Sequence, residues 1–340
     1  MSGLDPTRFL WRPNDGLPWF INLCVTSRCN LHCLGCRAGL HPAQEPSPAD
    51  LRTFLDRLAA WLPRPRRVIL TGGEPLLYPH LEEIVAHAAG LGFLPTINTN
   101  GSRLTAMTVD RLAGAGLAIL NVSLDGIGET HDRLRNGPGL YQGVMDMLQY
   151  LTHHSALTVG VVSTINRINA AELPALTRHL VKNFRLHSHR FQAVVPTLWQ
   201  PWSNDFFTTD PLWPREPRDL ETVLTTLEQL TELRRQGFPI DNDPSQFALW
   251  REYFTDPLKF LADRPCPLGD DNLIVLADGG VTACDLCGRI GELRDDPRTL
   301  WFSPGAKRFR EQMRDCKKPC NYRINCSYTP SLSNESTPAK

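Results

Sequence analysis

Cys29, Cys33 and Cys36 form the run Cys-Asn-Leu-His-Cys-Leu-Gly-Cys, a C-x3-C-x2-C spacing, just after the apolar stretch 20–25. Three thiolates on one short loop can hold three irons of a [4Fe–4S] cluster, whose usual ligands are cysteine thiolates. No fourth cysteine stands at that spacing, so the fourth iron would stay open to a ligand from outside the protein. The same thiols could instead make a zinc site with His32 or His41, since zinc takes four closed N and S ligands, or three plus water. A second candidate is Thr71-Gly72-Gly73-Glu74-Pro75, which follows Arg66-Arg67-Val68-Ile69-Leu70, a short buried strand by its pattern. Paired glycines let the backbone approach a ligand closely, and Glu74 offers a carboxylate acceptor at the strand end. Alone, that segment could be nothing more than a turn.

Six of the ten cysteines lie after residue 265: Cys266, Cys284, Cys287, Cys316, Cys320 and Cys326. Asp278-Gly279-Gly280 is a hairpin signal flanked by apolar residues. The hairpin would carry Cys284 on a strand and return it toward Cys266. Cys316-x3-Cys320-x5-Cys326 supplies a further knot of ligands. A zinc ribbon built from Cys284-x2-Cys287 and Cys316-x3-Cys320 is the competing reading. Cys24, on the first strand, reads as a buried core thiol.

Strand-like runs near 19–25, 67–71, 93–98, 117–124, 157–164 and 190–196 must position these groups. Helical patterns lie between them at 48–62, 80–91, 105–115, 141–155 and 171–183. The alternation predicts parallel βαβ units with right-handed crossovers, an α/β fold forming an open, partial (β/α)6 TIM-like barrel. Asn98, Asn100, Ser123, Asp125, Thr164 and Asn166 fall at or past strand C-terminal ends, where barrel folds gather their chemistry. Each alone reads equally as capping or turn chemistry. The predicted division is a lead-in at 1–18, a barrel at 19–200, a connector at 201–263, a cysteine-rich module at 264–328 and a Ser/Pro/Thr-rich, disordered tail at 329–340. Around the connector, Trp199, Trp202, Trp213 and Trp250 could line a substrate mouth or pack the barrel against the C-terminal module. One clear helix is predicted at 216–236.

At 340 residues with 41% hydrophobic residues, the chain has ample material for a buried core. Lys+Arg and Asp+Glu are both 36. The zero net charge leaves no electrostatic footprint for nucleic acid or an anionic membrane. Neither a secretion signal nor a membrane-length apolar run is visible. Ten cysteines without an export signal point to metal rather than disulfides, and to a cytoplasmic, low-oxygen setting.

Taken together, these motifs resemble the radical S-adenosylmethionine (SAM) superfamily, over nearly the whole chain. By that resemblance Cys29, Cys33 and Cys36 hold the cluster, and Gly72, Gly73, Glu74 and Pro75 bind the methionine amino group of SAM. Asn98-Thr99-Asn100-Gly101 resembles the strand end beside SAM, and Ser123-Leu124-Asp125-Gly126 the one whose polar side chains meet the ribose. His131-Asp132-x-x-Arg135 and Ser163-Thr164-Ile165-Asn166 match the usual order. One position departs: the residue before the third cysteine is commonly aromatic and packs near the adenine, and here it is Gly35.

The C-terminal cysteines resemble the SPASM and twitch extensions of these enzymes. Gly279-x4-Cys284, Gly291-Glu292-Leu293, Leu300-Trp301-Phe302-Ser303 and Phe309-Arg310 fit their connector. The spacing at Cys316, Cys320 and Cys326 departs from the full two-cluster pattern. It implies one auxiliary [4Fe–4S] cluster held by Cys266, Cys284 and two of those three, with Cys287 unassigned. The resemblance implies an oxidoreductase or related radical enzyme using SAM and fed by an electron donor such as flavodoxin or ferredoxin. Only 28 residues precede Cys29, too few for a leader-binding domain, so the expected substrate is a small polar biosynthetic molecule. A peptide maturase is the alternative, and a non-catalytic Fe–S or zinc protein the alternative of another class.

Overall fold

The computed structural model describes residues 15–40, 44–154, 157–196, 203, 205–263, 266, 272–284 and 288–326. Most of the predicted lead-in, Trp199, Trp202, Cys287, the tail 329–340 and the side chain of Cys326 lie outside the described residues.

In the barrel half, strand and helix alternate: β1 (Phe20–Thr26), α1 (Pro48–Trp61), β2 (Arg67–Gly72), α2 (Leu81–Gly90), β3 (Leu94–Thr99), α3 (Ala106–Gly114), β4 (Ile119–Ser123), α4 (Glu129–Arg135), α5 (Leu140–His154), β5 (Thr158–Ile165), α6 (Leu173–Asn183) and β6 (Ser188–Ala193). Each strand from β1 to β6 pairs in parallel with the next. The helices follow from local chemistry. In α1, Ser47 caps the N-terminus, Pro48 opens the first turn, and Leu51, Phe54, Leu55 and Leu58 are fully buried at one-face spacing.

The sheet does not stop at six strands. Beyond α7 (Phe206–Thr209), α8 (Pro217–Arg235), α9 (Pro244–Thr255) and α10 (Pro257–Asp263) comes β7 (Asn272–Val275), which pairs in parallel with β1. The antiparallel hairpin to β8 (Gly280–Thr282) and the short β9 (Gly291–Glu292) complete a nine-stranded open sheet, ordered β6-β5-β4-β3-β2-β1-β7-β8-β9. The extension covers the β1 edge, which would otherwise present unpaired N–H and C=O groups. The predicted hairpin is present. Cys284, however, lies past the end of β8 rather than on it. α11 (Pro297–Phe302) and α12 (Pro304–Arg314) close the order, followed by a π-helical turn, Tyr322–Cys326.

Side-chain alternation divides the two faces of the sheet. Ile21, Leu23, Val68, Leu70, Leu120, Val122, Val159 and Val161 are buried and belong to the main core with the helices. On the opposite, concave face stand Asn22, Asn98, Asn121, Thr164 and Gln192, none of them fully buried. Asn121 donates to Asn98 Oδ1 at 2.9 Å across β3 and β4. The inner wall of the barrel is therefore rich in amide and hydroxyl groups.

Trp213 and Trp250 do not line a mouth. They are 3% and 0% exposed and sit in a nest of Phe207, Phe247, Tyr253 and Phe254. Trp250 Nε1 donates to Ile324 O at 2.9 Å, which joins α9 to the C-terminal turn. Large aromatic surfaces gain most from full burial, which decides between the two sequence readings for these tryptophans.

His189 on β6 is fully buried between Ser163 Oγ (2.8 Å) and Thr177 Oγ1 (3.1 Å). Burial pulls its pKa down to about 3. His131, also fully buried, is pulled down to about 4 by burial, with Asp125 opposing and Arg135 reinforcing the shift. The unfolded chain titrates near 6.5. Both groups therefore contribute stability above that pH and lose it as pH falls toward 4 and 3, at up to about 1.4 kcal/mol per pH unit for each. Urea unfolding measured between pH 7 and pH 4 is expected to show this slope, and His189→Gln to flatten it. An unchanged slope would remove His189 from the account.

Candidate functional site: a thiol loop on the barrel mouth

Backbone hydrogen bonds stitch the cysteine loop to its neighbours. Gly73 N donates to Thr26 O (2.9 Å) and Glu74 N to Arg28 O (2.8 Å), so the Gly-Gly turn lies against the residues leading into Cys29. Both glycines are required by contact. A Cβ at Gly72 would strike the carbonyl oxygen of Thr26, and one at Gly73 that of Arg28. Gly72 also has φ of +133°, a conformation L side chains rarely adopt. Further along, Leu34 N donates to Leu134 O at 2.9 Å, which ties the loop to α4. Asn30 Nδ2 reaches Ser102 Oγ at 2.8 Å.

Asp125 sits at the centre of a second set of contacts. Its Oδ1 accepts from Thr164 N (2.7 Å), and its Oδ2 pairs with Arg135 Nε at 2.6 Å. Its backbone N–H donates to His131 Nδ1 (3.0 Å), and its carbonyl accepts from Asn169 Nδ2 (2.6 Å). The bond to Nδ1 places the imidazole proton on Nε2. Arg135 also acts on Cys33. Burial disfavours the guanidinium charge, but Asp125 holds it firmly protonated. Conversely, burial pushes the Cys33 thiol up to about 11, with Arg135 pulling it back, and burial raises Cys29 as well. Without iron these two thiols stay protonated at neutral pH. Loading a metal centre must therefore release protons.

Glu74 is 1% exposed. Its Oε1 accepts from Thr99 Oγ1 (2.6 Å) and Leu76 N (3.1 Å), and its Oε2 from Asn100 N (2.7 Å). Burial raises its carboxyl, and these three hydrogen bonds and Arg135 oppose the rise. The carboxylate thus joins the ends of β2 and β3 behind the mouth. Asn100 continues outward, its Nδ2 lying 3.9 Å from Cys29 Sγ and 3.3 Å from Asn30 Oδ1.

A cavity of about 270 Å³ opens beside the loop. Of the residues singled out by sequence, it brings together Cys33, Cys36, Gly72, Asp125, Arg135, Thr164 and Asn166. Gly73, Glu74, Pro75, Asn98, Asn100 and Ser123 do not line it: Glu74, Pro75 and Asn100 are buried behind it, Ser123 is part-buried on β4, and Asn98 is exposed on the concave face. Asn166 is largely taken up by its own turn, donating to Thr164 O and accepting from Ile168 N. The cavity also takes in Gln192, Leu212 and Asn321, which sequence reading missed. Gln192 was recoverable, because Ser188, Arg190 and Gln192 alternate with the more buried His189, Phe191 and Ala193. Leu212 and Asn321 carry no local signal.

In the C-terminal region Cys266, Cys284 and Cys316 share a small second core with Ala283, Phe309 and Met313. Cys320 is buried, close enough to Tyr253 to help raise its pKa beyond the effect of burial. The following turn docks on β6 through paired bonds between Asn325 and the backbone of Ala193, at 2.8 and 2.9 Å. Among the described residues, no three His, Cys, Asp or Glu side chains converge on a single metal position. A cubane cluster spreads its thiolates over different irons. The loop offers three such thiolates, Cys29, Cys33 and Cys36.

Residues 23–179 match the family model described as the radical SAM superfamily. An AdoMet-dependent heme synthase of Methanosarcina barkeri is 32% identical over 177 residues, 51% of this chain and 50% of that protein. The sporulation killing factor maturation protein SkfB of Bacillus subtilis is 31% identical over 162 residues, 46% of this chain and 38% of that protein. The chain thus spans half or less of these curated relatives. Among solved structures, anSMEcpe with bound AdoMet and the Cp18Cys peptide superposes with a TM-score of 0.64 at 18% identity, covering 92% of this chain and 88% of that one. That likeness establishes the fold alone: an open α/β sheet, parallel from β6 to β7 and finished by antiparallel β8 and β9. Residues 23–179 are a radical SAM domain, of a superfamily that binds a [4Fe–4S] cluster and SAM. No described helix is long and apolar enough to cross a membrane.

Proposed function

We infer that this chain is a radical SAM oxidoreductase or related radical enzyme acting on a small, polar biosynthetic molecule. Cys29, Cys33 and Cys36 hold the cluster, and the backbone at Gly72 and Gly73 receives the methionyl end of SAM. A [4Fe–4S] cluster held by Cys29, Cys33 and Cys36 would supply one-electron reductive cleavage of bound SAM, and with it the abstraction of hydrogen from the substrate. Arg135 neutralises charge on the thiolate of Cys33 and fixes Asp125, which with Thr164 and Asn166 offers hydrogen bonds to the polar part of SAM. Glu74 holds the turn in place from behind and retains acceptor capacity on Oε2 for an ammonium. Asn98, Asn100 and Ser123 complete the polar rim in this reading.

In the C-terminal module, Cys266, Cys284 and two of Cys316, Cys320 and Cys326 would hold one auxiliary cluster. Asn321, next to Cys320, lines the same cavity as Cys33, which supports electron exchange with, or ligation of, the substrate there. A flavodoxin or ferredoxin is the proposed electron source.

The observation that carries the substrate class is the polar inner wall, with its Asn98–Asn121 amide pair and Gln192. Exposed and part-buried amides on this face offer donors and acceptors to a polar partner. A peptide substrate is the second reading, favoured by the similarity to SkfB and by the peptide-bound anSMEcpe fold. Incubating the reconstituted enzyme and SAM with deuterated sugars or cyclitols, and separately with deuterated precursor peptides, distinguishes them. Deuterium is expected in 5′-deoxyadenosine from the small molecule. Its appearance only from a peptide would promote the second reading.

A further inference from the structure

Asn321 lines the cavity beside the cysteine loop, and the way its carboxamide is held decides which atom remains for a ligand. Two other carboxamides finish the outer edge of β6 as a neighbouring strand would. Asn242 Oδ1 accepts from Phe191 N (2.6 Å), and its Nδ2 donates to Phe191 O (3.0 Å). At Ala193, Asn325 does the same, at 2.8 and 2.9 Å. A backbone N–H only donates and a carbonyl only accepts, so the orientation of both amides is fixed. Gln246 joins the two, accepting from Asn242 Nδ2 (2.7 Å) and donating to Asn325 O (2.9 Å).

Asn325 Nδ2 also donates to Asn321 Oδ1 at 2.9 Å. That contact occupies the carbonyl of Asn321 and leaves its Nδ2 amino group without an acceptor among the described residues. Asn321 is part-buried, and Gln192, next to the clamped Ala193, lines the same cavity. Among the described residues, Asp125 and Arg135 are the only carboxylate and guanidinium on the cavity wall, and they pair with each other at 2.6 Å. A charged group brought to this wall would meet no unspent counter-charge, whereas an uncharged oxygen would meet a donor.

We infer that Asn321 is a specificity-determining residue whose amino group donates to an uncharged oxygen of the substrate, a hydroxyl or a carbonyl. The inference deepens the small-molecule reading above and rests on it. Asn325 acts only through Asn321 and is a positioning residue.

The test is equilibrium dialysis of the anaerobically reconstituted, SAM-loaded full chain against glucose, glucosamine and glucuronate, probes on one ring that differ in charge. The wild type is expected to bind glucose and to prefer it to both charged sugars. Asn321→Asp keeps an acceptor for Asn325 and replaces the amino group with an oxygen, so the fold is retained. It should bind glucose about tenfold more weakly, the upper end of what a neutral hydrogen bond contributes. It should also prefer glucosamine, whose ammonium suits a carboxylate. SAM should bind both proteins equally. Equal glucose binding by wild type and Asn321→Asp, or a wild type that prefers a charged sugar, overturns the inference while leaving the small-molecule reading intact. Loss of SAM binding in Asn321→Asp would move Asn321 into the SAM site and overturns the inference in the same way. No sugar bound by the SAM-loaded wild type overturns both.

Discussion

Replacing Cys29, Cys33 and Cys36 together by alanine is expected to remove about four irons per chain and all reductive cleavage of SAM. The loop that carries them is held by backbone bonds from Leu34 to Leu134 and from Glu74 to Arg28. None of these uses a cysteine side chain, so the variant should still fold. Wild-type protein should hold about eight irons and matching sulfide if the proposed second cluster occupies the C-terminal module. The variant should keep about four, because Cys266, Cys284 and Cys316 sit in a separate small core. Anaerobic iron and sulfide analysis reads both numbers. Unchanged iron in the variant would break the assignment of the loop. About four irons with one zinc in the wild type would support the ribbon instead.

Glu74→Ala should be the most damaging single substitution at the mouth. It strips acceptors from Thr99 Oγ1, Asn100 N and Leu76 N in a buried place. Unsatisfied buried donors cost about 1–3 kcal/mol each, so a loss of stability of about 3 kcal/mol or more is expected. The same change unties the Gly-Gly turn from the end of β3 and, on the proposed role of Glu74, removes the acceptor for the SAM ammonium, which should weaken SAM by about ten- to a hundredfold. Glu74→Gln separates the two effects. It can keep the bonds to Thr99 and Leu76 but turns an NH2 toward Asn100 N–H, and it lacks the charge. Urea unfolding and SAM dialysis on both variants check this. Wild-type stability with wild-type affinity in Glu74→Ala would refute it.

The barrel half was open to sequence reading because its signals are local. The run Arg67–Gly72 and the one-face spacing of Leu51, Phe54, Leu55 and Leu58 each declare one element within a few residues. The motif positions inherit that clarity, since each lies one step past a strand end. What escaped were contacts between distant segments. Val275 and its neighbours read as part of a cysteine module, yet they extend the barrel sheet, because β1 offers a free edge to any apolar run that reaches it. Trp250 offers no clue in sequence that it will be sealed beneath Ile324. Glu74 reads as an open acceptor beside two glycines. Only the fold brings Thr99 and Asn100 onto it and turns it into a strut between strands. Leu212 is the extreme case, an ordinary leucine that only the fold brings against Gly35 and into the cavity beside the cysteine loop.

The most direct measurement is anaerobic incubation of the reconstituted full chain with SAM and dithionite, with 5′-deoxyadenosine and methionine quantified over time. The account predicts both products in equal amounts, dependent on reduction and on an intact Cys29–Cys33–Cys36 loop. A protein that carries its full iron yet neither binds SAM nor releases 5′-deoxyadenosine would contradict it.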